Sequence, residues 1–228
     1  MIPDPNKGEI DNLVSLKVPI EAGFENVLTS RVSANTRQKI RRYRRKLLET
    51  GIYRITTANT ETVERDIAGL LRNWGDQWSV QKGSSKAVEI AERYGRALLT
   101  AESMQRLFLP VLWQGDKMLA ALGHVVDEKQ GSVNFLVAGR NSKVNDPAIG
   151  LLLHAHAIEW AAEAGSRTYD FGHGDQGYKR SFGPEEMRSR YLTVRRAGGK
   201  SVLDTISVGA ALQRLASFAE QGKVNRVK

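Results

Sequence analysis

The sequence contains no cysteine among its 228 residues. Disulfide bonds, thiolate metal sites and cysteine nucleophiles are therefore excluded, and the composition fits a reducing compartment. No apolar run reaches the roughly 18 residues that a membrane-spanning helix needs, and the polar first nine residues do not have the pattern of a secretory signal. Hydrophobic residues at 41% and charged residues at 26% are ordinary for a folded protein, so disorder as the main state is excluded. We therefore expect a soluble, cytoplasmic protein.

Histidine is also scarce, with four in the chain. His154 and His156 fall on one predicted helix, but helical residues two apart point about 200° away from each other and cannot share one ion. We expect His156 to lie beside the core and His154 on the opposite side. With no thiolates and few imidazoles, the sequence predicts no metal site.

What the sequence has in excess is positive charge, with 34 Lys and Arg against 25 Asp and Glu and a net charge of +9. Seven of these cations fall within ten residues that contain no acid, and subtracting them leaves +2 for the rest of the chain. They are Arg37, Lys39, Arg41, Arg42, Arg44, Arg45 and Lys46. The basicity is thus a local feature and does not classify the whole chain.

The segment around these cations is predicted to be a basic helix within residues 23–50. Ser33 and Asn35 are candidate N-caps, Gly51 is a stop signal, and Ile40 begins an apolar stripe with helical spacing. Three interpretations remain open: a solvated helix face, a surface for RNA, DNA or an anionic membrane, and cations at the mouth of a site for an anionic substrate. The second interpretation assigns polyanion binding to Arg37, Arg41, Arg42, Arg44 and Arg45.

Hydrophobic periodicity predicts an α/β domain over residues 51–228, preceded by a tail or edge segment over residues 1–22. Helical spacing marks residues 61–81, 87–107, 150–164 and 201–221, and alternation marks strands at residues 52–57, 108–113, 118–126, 132–138, 167–171 and 188–195. The order is helices, an antiparallel meander, then β–α–β, which indicates a mixed sheet. The aromatic residues of the first two helices of this domain are interpreted as core.

The densest polar cluster follows the strand at residues 167–171, where sites in α/β sheets usually lie. Asp170 ends that strand and can accept a proton from a nucleophile, while Lys179 and Arg180 can hold a phosphate or carboxylate. The alternative is a structural loop in which Asp170 caps neighbouring N–H groups and pairs with Lys179. The glycines here spell GxGxxG, but Asp175 lies inside the turn and no amphipathic helix follows at once, so a dinucleotide site is excluded.

A second candidate site is the start of the helix at residues 150–164. Its first turn contains no acid, since the first is Glu159. An uncharged helix N-terminus can bind phosphate through its N–H groups. A plain helix start explains Gly150 equally well.

Two stretches together resemble CelD-like acetyltransferases of the GNAT superfamily. The basic residues 35–47 resemble the "NxRxxLRRxxRxL" helix of those proteins. The later stretch has matching residues in order: Asp146, Pro147, Gly150, Ile158, Glu159, Ala164, Gly165, Tyr169, Asp170, Phe171, Gly172, Gly174, Asp175, Tyr178 and Lys179. The resemblance runs from about residue 24 to residue 195.

The resemblance implies a GNAT-like fold: a mixed, mostly antiparallel sheet flanked by helices, with the basic helix in front. It implies transfer of an acyl group, acetyl in first place, from acyl-CoA to an amine by direct attack, in polysaccharide or cell-envelope biosynthesis. It places the donor pyrophosphate at Ile149, Gly150 and Leu151, and makes a small molecule or a glycan the amine acceptor. The implied catalytic residues are Asp170, Tyr178 and Lys179, and the implied substrate-binding residues are His173, Asp175 and Arg180.

The sequence departs from this family in two ways. Ordinary GNAT enzymes have a richer (Q/R)xxGx(G/A) pyrophosphate loop, whereas this chain has only Gly150. CelD-like proteins are usually longer, with two GNAT-like halves, so a homodimer or a second GNAT-like subunit is expected to complete the site. The alternatives are a Fem-type aminoacyltransferase that uses aminoacyl-tRNA, with tRNA on the basic helix, and a non-catalytic GNAT-like scaffold that binds polyanions.

Overall fold

The computed structural model describes residues 14–144, 146, 148–174 and 176–188, except the side chains of residues 47, 48 and 80–82. The strands are β1 (Val14–Pro19), β2 (Tyr53–Thr57), β3 (Leu107–Phe108), β4 (Pro110–Gln114), β5 (Lys117–Asp127), β6 (Ser132–Arg140), β7 (Thr168–His173) and β8 (Glu185–Arg188). The helices are α1 (Phe24–Ser30), α2 (Ala34–Tyr43), α3 (Val63–Lys82), α4 (Ser84–Ser103), α5 (Ala148–Glu163) and α6 (Gly177–Arg180), and a π-helical segment (Arg44–Glu49) continues α2.

These strands form one eight-stranded sheet in the order β2-β4-β5-β6-β7-β1-β8, with β3 paired to β5. The pairing of β6 with β7 is parallel, and every other described pairing is antiparallel. A parallel pair needs a crossover, and α5 provides it. The predicted mixed α/β sheet flanked by helices is confirmed.

Strand β1 corrects the prediction of a tail or edge segment over residues 1–22 from residue 14 on, and residues 1–13 lie outside the described residues. It lies in the sheet interior, between β7 and β8. Its core-facing residues Leu16 and Val18 are at most 1% exposed. Pro19 is the last residue of β1, where the missing N–H does not interrupt the ladder. The sequence signal failed because the three prolines of this region outweighed a short alternating pattern.

The helices cover the sheet on both faces. Helices α1, α2 and α5 enclose one core with Leu112 and Leu122, and α3 and α4 enclose the other with Val111 and Ala121. Neighbouring residues along β4 and β5 thus contribute to different cores, as the period of two requires. Helix α3 approaches β6 so closely that a Cβ on Gly139 would lie 2.1 Å from the carbonyl oxygen of Leu70.

The basic segment is two helices and a π-helical extension. The sequence predicted one basic helix, with the stretch at residues 24–28 either extending or preceding it, and the structure shows that stretch as a separate helix. Gly23 and Ser33 precede α1 and α2, and the Ser33 hydroxyl accepts a hydrogen bond from the N–H of Thr36, as predicted for an N-cap. Ile40, a residue of α2, is fully buried. No described helix is long and apolar enough to cross a membrane. The predicted strand beyond residue 188 and the predicted helix at residues 201–221 lie outside the described residues.

Candidate functional site

The parallel strands β6 and β7 stay together only at their beginnings. Residues 132–134 pair with residues 168–170, but both strands continue, β6 to Arg140 and β7 to His173. A cavity of about 400 Å³ lies between the later parts of the two strands. It is lined by Trp74, Gln77, Trp78, Tyr94, Phe135, Leu136, Val137, Ala138, Phe171, Gly172, His173, Gln176, Tyr178 and Lys179.

The backbone on each side of the cavity departs from regular strand geometry. On β6, Phe135 and Val137 pair with His124 and Gly123, so Leu136 is the additional residue of a β-bulge. On β7, Gly172 has a φ of 68°, which a residue with a side chain rarely adopts. The bulge and the glycine separate two strands that would otherwise continue side by side.

Helix α6 brings two of the predicted catalytic residues to the cavity. Tyr178 is 39% exposed, and partial burial raises the pKa of its hydroxyl to about 12. The hydroxyl is therefore protonated at neutral pH and can donate a hydrogen bond. Lys179 is 3% exposed, and its Nζ donates to the carbonyl oxygens of His173 at 2.7 Å and Gly174 at 3.2 Å. Lys179 thus ties α6 to the end of β7.

The other predicted residues of this loop have different surroundings. Asp170 accepts a hydrogen bond from the N–H of Gly172 at 2.7 Å and lies 3.2 Å from Nζ of Lys17. Asp170 and Arg180 are not among the described residues that line the cavity. Arg180 pairs with Glu186 at 2.8 Å. The contacts of Asp170 are those of the structural alternative, with Lys17 of β1 in place of the expected Lys179.

Among the predicted substrate-binding residues, His173 is the last residue of β7. His173 lines the cavity and is exposed, and its Nδ1 donates to the carbonyl oxygen of Val14 at 3.3 Å. Asp175 lies outside the described residues. The mouth of the cavity thus includes His173 and Gln176.

A buried hydrogen-bond chain lies behind the cavity wall. Nδ1 of His124 contacts the carbonyl oxygen of Phe108 at 3.1 Å and must donate to it. Burial lowers the pKa of His124 to about 3, so its Nε2 is an acceptor. The Tyr169 hydroxyl therefore donates to Nε2 of His124 at 2.8 Å and accepts from Nδ1 of His154 at 3.1 Å.

The expectation for the two histidines of α5 is wrong. His154 is 2% exposed and His156 is only half-buried, because α5 is apolar on most sides and is covered by the sheet and by α2. Among the described residues, no group of three or more His, Asp or Glu is arranged to hold a metal ion.

The start of α5 has a feature that the sequence did not indicate. Oδ1 of Asp146 accepts a hydrogen bond from the N–H of Ala148 at 2.9 Å, and its carbonyl oxygen accepts from Ile149 at 3.3 Å. A carboxylate therefore caps this helix. The N–H groups of Ala148 and Ile149 are thus occupied, and the N–H of Gly150 is the next one in this first turn that an anion can contact. A Cβ on Gly150 would meet nothing within 4 Å, so the approach to this turn is open.

The predicted polyanion-binding arginines divide into two groups. Arg37 donates to the carbonyl oxygen of Leu28 at 2.8 Å, Arg41 pairs with Glu25 at 3.1 Å, and Arg44 pairs with Glu159 of α5. Arg37 and Arg44 are partly buried and fasten α2 and the π-helical segment to their neighbours, whereas the pair of Arg41 with Glu25 is exposed on both sides. The exposed cations of the segment are Lys39, Arg41, Arg42, Arg45 and Lys46.

The aromatic wall of the cavity is the part of the site that the sequence analysis missed. Trp74, Trp78 and Tyr94 come from α3 and α4 and were interpreted as core. Trp74 is 6% exposed and lies 5.6 Å from Tyr94, edge to face, so it serves the core and the wall together. Trp74 and Trp78, four residues apart on α3, were a usable signal, but core aromatics have the same spacing.

Comparisons with known proteins agree with this architecture. Residues 34–180 match a family described as "Acetyltransferase (GNAT) domain". A conserved protein of unknown function from Bacteroides thetaiotaomicron VPI-5482 has a similar structure, with a TM-score of 0.56 and 12% identity over 77% of this chain and 57% of that chain. A comparison with curated proteins gave no significant match.

Two further solved structures share the fold. One is the C-terminal domain of a protein named as a lysylphosphatidylglycerol synthetase from Agrobacterium fabrum, with a TM-score of 0.52 and 15% identity over 77% of this chain and 58% of that chain. The other is L-PGS from Bacillus licheniformis, with a TM-score of 0.50 and 13% identity over 76% of this chain and 57% of that chain. The chain thus spans between 57% and 58% of the length of these three structural neighbours. Because the matched family covers more than half of the chain and its fold is the one observed, the chain belongs to the GNAT acetyltransferase-domain family.

Proposed function

We propose that this chain is an N-acyltransferase that transfers an acyl group, acetyl in first place, from acyl-CoA to an amine. The observation that carries the proposal is the cavity where the parallel strands β6 and β7 diverge. Helix α5 connects these strands, so its N-terminus lies at the same edge of the sheet as the diverging ends. An elongated donor can therefore have its phosphates at α5 and its thioester in the cavity.

On the donor side, the turn Ile149, Gly150 and Leu151 at the start of α5 is proposed to hold the phosphates, with the N–H of Gly150 donating to a phosphate oxygen. Ile149 is 2% exposed and supports this turn from the core. The Asp146 carboxylate opposes an anion at this position. Asp146→Asn keeps an N-cap of similar quality and removes the charge. We expect it to tighten acyl-CoA binding severalfold in calorimetry, and an unchanged or weaker affinity would remove α5 from the donor site.

On the reaction side, the amine nitrogen displaces the thiolate of the donor, with backbone N–H groups stabilising the oxyanion. As the new C–N bond forms and the C–S bond breaks, the protonated Tyr178 hydroxyl is proposed to give its proton to the departing thiolate. The proton that the amine nitrogen loses goes to bulk water, from which Tyr178 is protonated again. Lys179 and Asp170 are proposed to hold the loop that carries Tyr178, through their bonds to His173 and Gly172. In this assignment Asp170 positions the loop and does not take the amine proton.

The proposed acceptor side is the mouth of the cavity, which His173 of β7 lines. Asp175 and Arg180 are kept as proposed acceptor-binding residues on the sequence resemblance alone. A small-molecule amine and a glycan amine are the proposed acceptor classes, and a CelD-like role in polysaccharide or cell-envelope biosynthesis is the proposed context. Because the chain spans little more than half of its structural neighbours, a homodimer or a second GNAT-like subunit is proposed to complete this side.

The test measures ligand binding and turnover in the full chain. At a hundredfold excess over its Kd, acetyl-CoA should stabilise the protein by about 2.7 kcal/mol, which corresponds to a rise in Tm of roughly 5–10 °C for a chain of this size. Tyr178→Phe should keep this shift and lower kcat about 100-fold, whereas Tyr53→Phe on β2 serves as the matched control. No shift with any acyl-CoA refutes the donor assignment.

A second candidate is a Fem-like transfer from aminoacyl-tRNA, which the exposed cations of α2 and the π-helical segment favour. Arg42→Ala and Arg45→Ala should each weaken tRNA binding and lower its salt dependence by about one unit of slope. Arg37→Ala, whose guanidinium is occupied by the carbonyl of Leu28, is the matched control. Saturable tRNA binding with no acyl-CoA shift favours this candidate, and binding of neither ligand favours the scaffold.

A further inference from the structure

One imidazole lies directly behind the floor of the cavity. The His154 ring is stacked on Tyr178, with 5.1 Å between ring centroids and 26° between planes. It also contacts Phe135 at 5.0 Å and Phe171 at 5.2 Å. These three aromatic residues line the cavity from β6, β7 and α6. His154 therefore contacts one aromatic residue from each of the three elements that form this part of the cavity wall.

The orientation of the His154 ring is fixed from its other side. Its Nδ1 donates to the Tyr169 hydroxyl, which donates onward to His124. The chain ends at the backbone carbonyl oxygen of Phe108, which can only accept a hydrogen bond. This acceptor determines which group donates in each of the other hydrogen bonds. Burial, with the positive charge of Lys179 as a smaller cause, lowers the pKa of His154 well below its ordinary value. The imidazole is therefore neutral, and the hydrogen bond to Tyr169 assigns its proton to Nδ1.

We propose that His154 is a positioning residue, which holds the Tyr178 ring against the cavity at the point where β6 and β7 diverge. This rests on the proposed function, in which Tyr178 donates a proton. A flat ring stacked on Tyr178 limits rotation of the phenol, and the hydrogen bond from Nδ1 limits rotation of the imidazole. The polar chain thus transmits its fixed geometry from the buried carbonyl to a half-exposed side chain.

The alternative explanation is that His154 only fills the core. Two substitutions separate the explanations. His154→Phe keeps a flat ring against Tyr178 and loses the hydrogen bond to Tyr169, whereas His154→Ala loses both. His156→Ala, two residues along the same helix, is the matched control because His156 is half-buried and points elsewhere.

The first readout does not depend on activity. The full chain is labelled with 3-fluorotyrosine, and the Tyr178 resonance is assigned through Tyr178→Phe among the six tyrosines. We expect a shifted and broadened Tyr178 signal in His154→Ala, a signal close to the wild type in His154→Phe, and no change in His156→Ala. An unchanged signal in a folded His154→Ala protein overturns the proposal.

The second readout is turnover with acetyl-CoA. We expect His154→Ala to lower kcat by about 10- to 100-fold, with KM for acetyl-CoA within about threefold. His154→Ala combined with Tyr178→Phe should be no slower than Tyr178→Phe alone, because positioning acts only through the hydroxyl. Additive losses overturn positioning. If the wild-type protein transfers no acyl group, the proposed function is refuted, but the fluorine signal still tests whether His154 positions Tyr178. If His154→Ala does not fold, the Tyr178 signal in His154→Phe provides that test.

Discussion

Removing the Tyr169 hydroxyl tests the buried chain most directly. Tyr169 is fully buried, and Tyr169→Phe keeps the ring and deletes one oxygen. That oxygen serves Nε2 of His124 and Nδ1 of His154, so one deletion leaves an acceptor and a donor without their partner. Each unsatisfied buried group costs about 1–3 kcal/mol. We therefore expect a loss of about 2–6 kcal/mol in the free energy of unfolding, and a decrease in Tm of at least about 5 °C.

The assay is urea unfolding of the full chain at pH 7.5, followed by circular dichroism and by tryptophan fluorescence. Tyr178→Phe is the control, since it deletes the same oxygen from a half-exposed ring, and we expect it to change stability by less than about 0.5 kcal/mol. Combining Tyr169→Phe with His154→Phe removes donor and acceptor together, and should cost less than the sum of the single losses. A Tyr169→Phe protein as stable as Tyr178→Phe would refute the assigned hydrogen bonds.

Three further predictions concern stability. The pKa values of His124 and His154 are lowered in the folded protein, to about 3 for His124, so the unfolded chain binds protons first as the pH falls. Their contribution is nearly complete at pH 7.5 and is lost as the pH falls through the unfolded-state pKa of about 6.5. For His124 the loss is about 2 kcal/mol between pH 7 and pH 5, and His154 adds a loss in the same direction; urea midpoints that do not change over this range would contradict it. Gly139→Ala should cost about 1–3 kcal/mol or more, because its Cβ would lie 2.1 Å from the carbonyl oxygen of Leu70. Gly75→Ala in α3, where a Cβ would meet nothing within 4 Å, should be neutral or stabilising by up to about 1 kcal/mol in the same urea unfolding, and equal stabilities of the two variants would contradict the close approach. Lys179→Met should speed proteolysis of the loop after β7, because the variant loses both hydrogen bonds from Lys179 to backbone carbonyl oxygens. Limited trypsin digestion, scored at Arg180, measures this, and equal cleavage rates would contradict the role of Lys179 in holding the loop.

The fold was largely predictable because its helices and middle strands have clear periods. The meander at residues 108–138 and the helix at residues 150–164 are present with ends shifted by a few residues. The sequence-based prediction failed for short elements that are rich in turn-forming residues. Strand β1 contains Pro19 and follows two other prolines, and the partners that make it a strand lie some 150 residues away in β7.

The site was partly predictable. A local motif led to Tyr178 and Lys179, which the structure places at one cavity. The same motif led to Asp170, whose partner Lys17 comes from a distant strand that no local pattern reveals. His154 was misplaced because α5 is apolar around most of its circumference, and its orientation therefore cannot be derived from periodicity.

The position of β1 has a consequence for how the chain folds. Residues 14–19 form the ladder that joins β7 to β8, so this part of the sheet cannot close before residues 168–188 have been synthesised. During translation, residues 14–19 emerge first and stay unpaired while the middle strands form. The edge of β7 is then open until β1 pairs with it. Such a late closure between distant segments is slow, and an open edge is prone to pair with other chains. Chaperone dependence and aggregation in this protein should therefore depend on the first strand more than on any residue of the cavity.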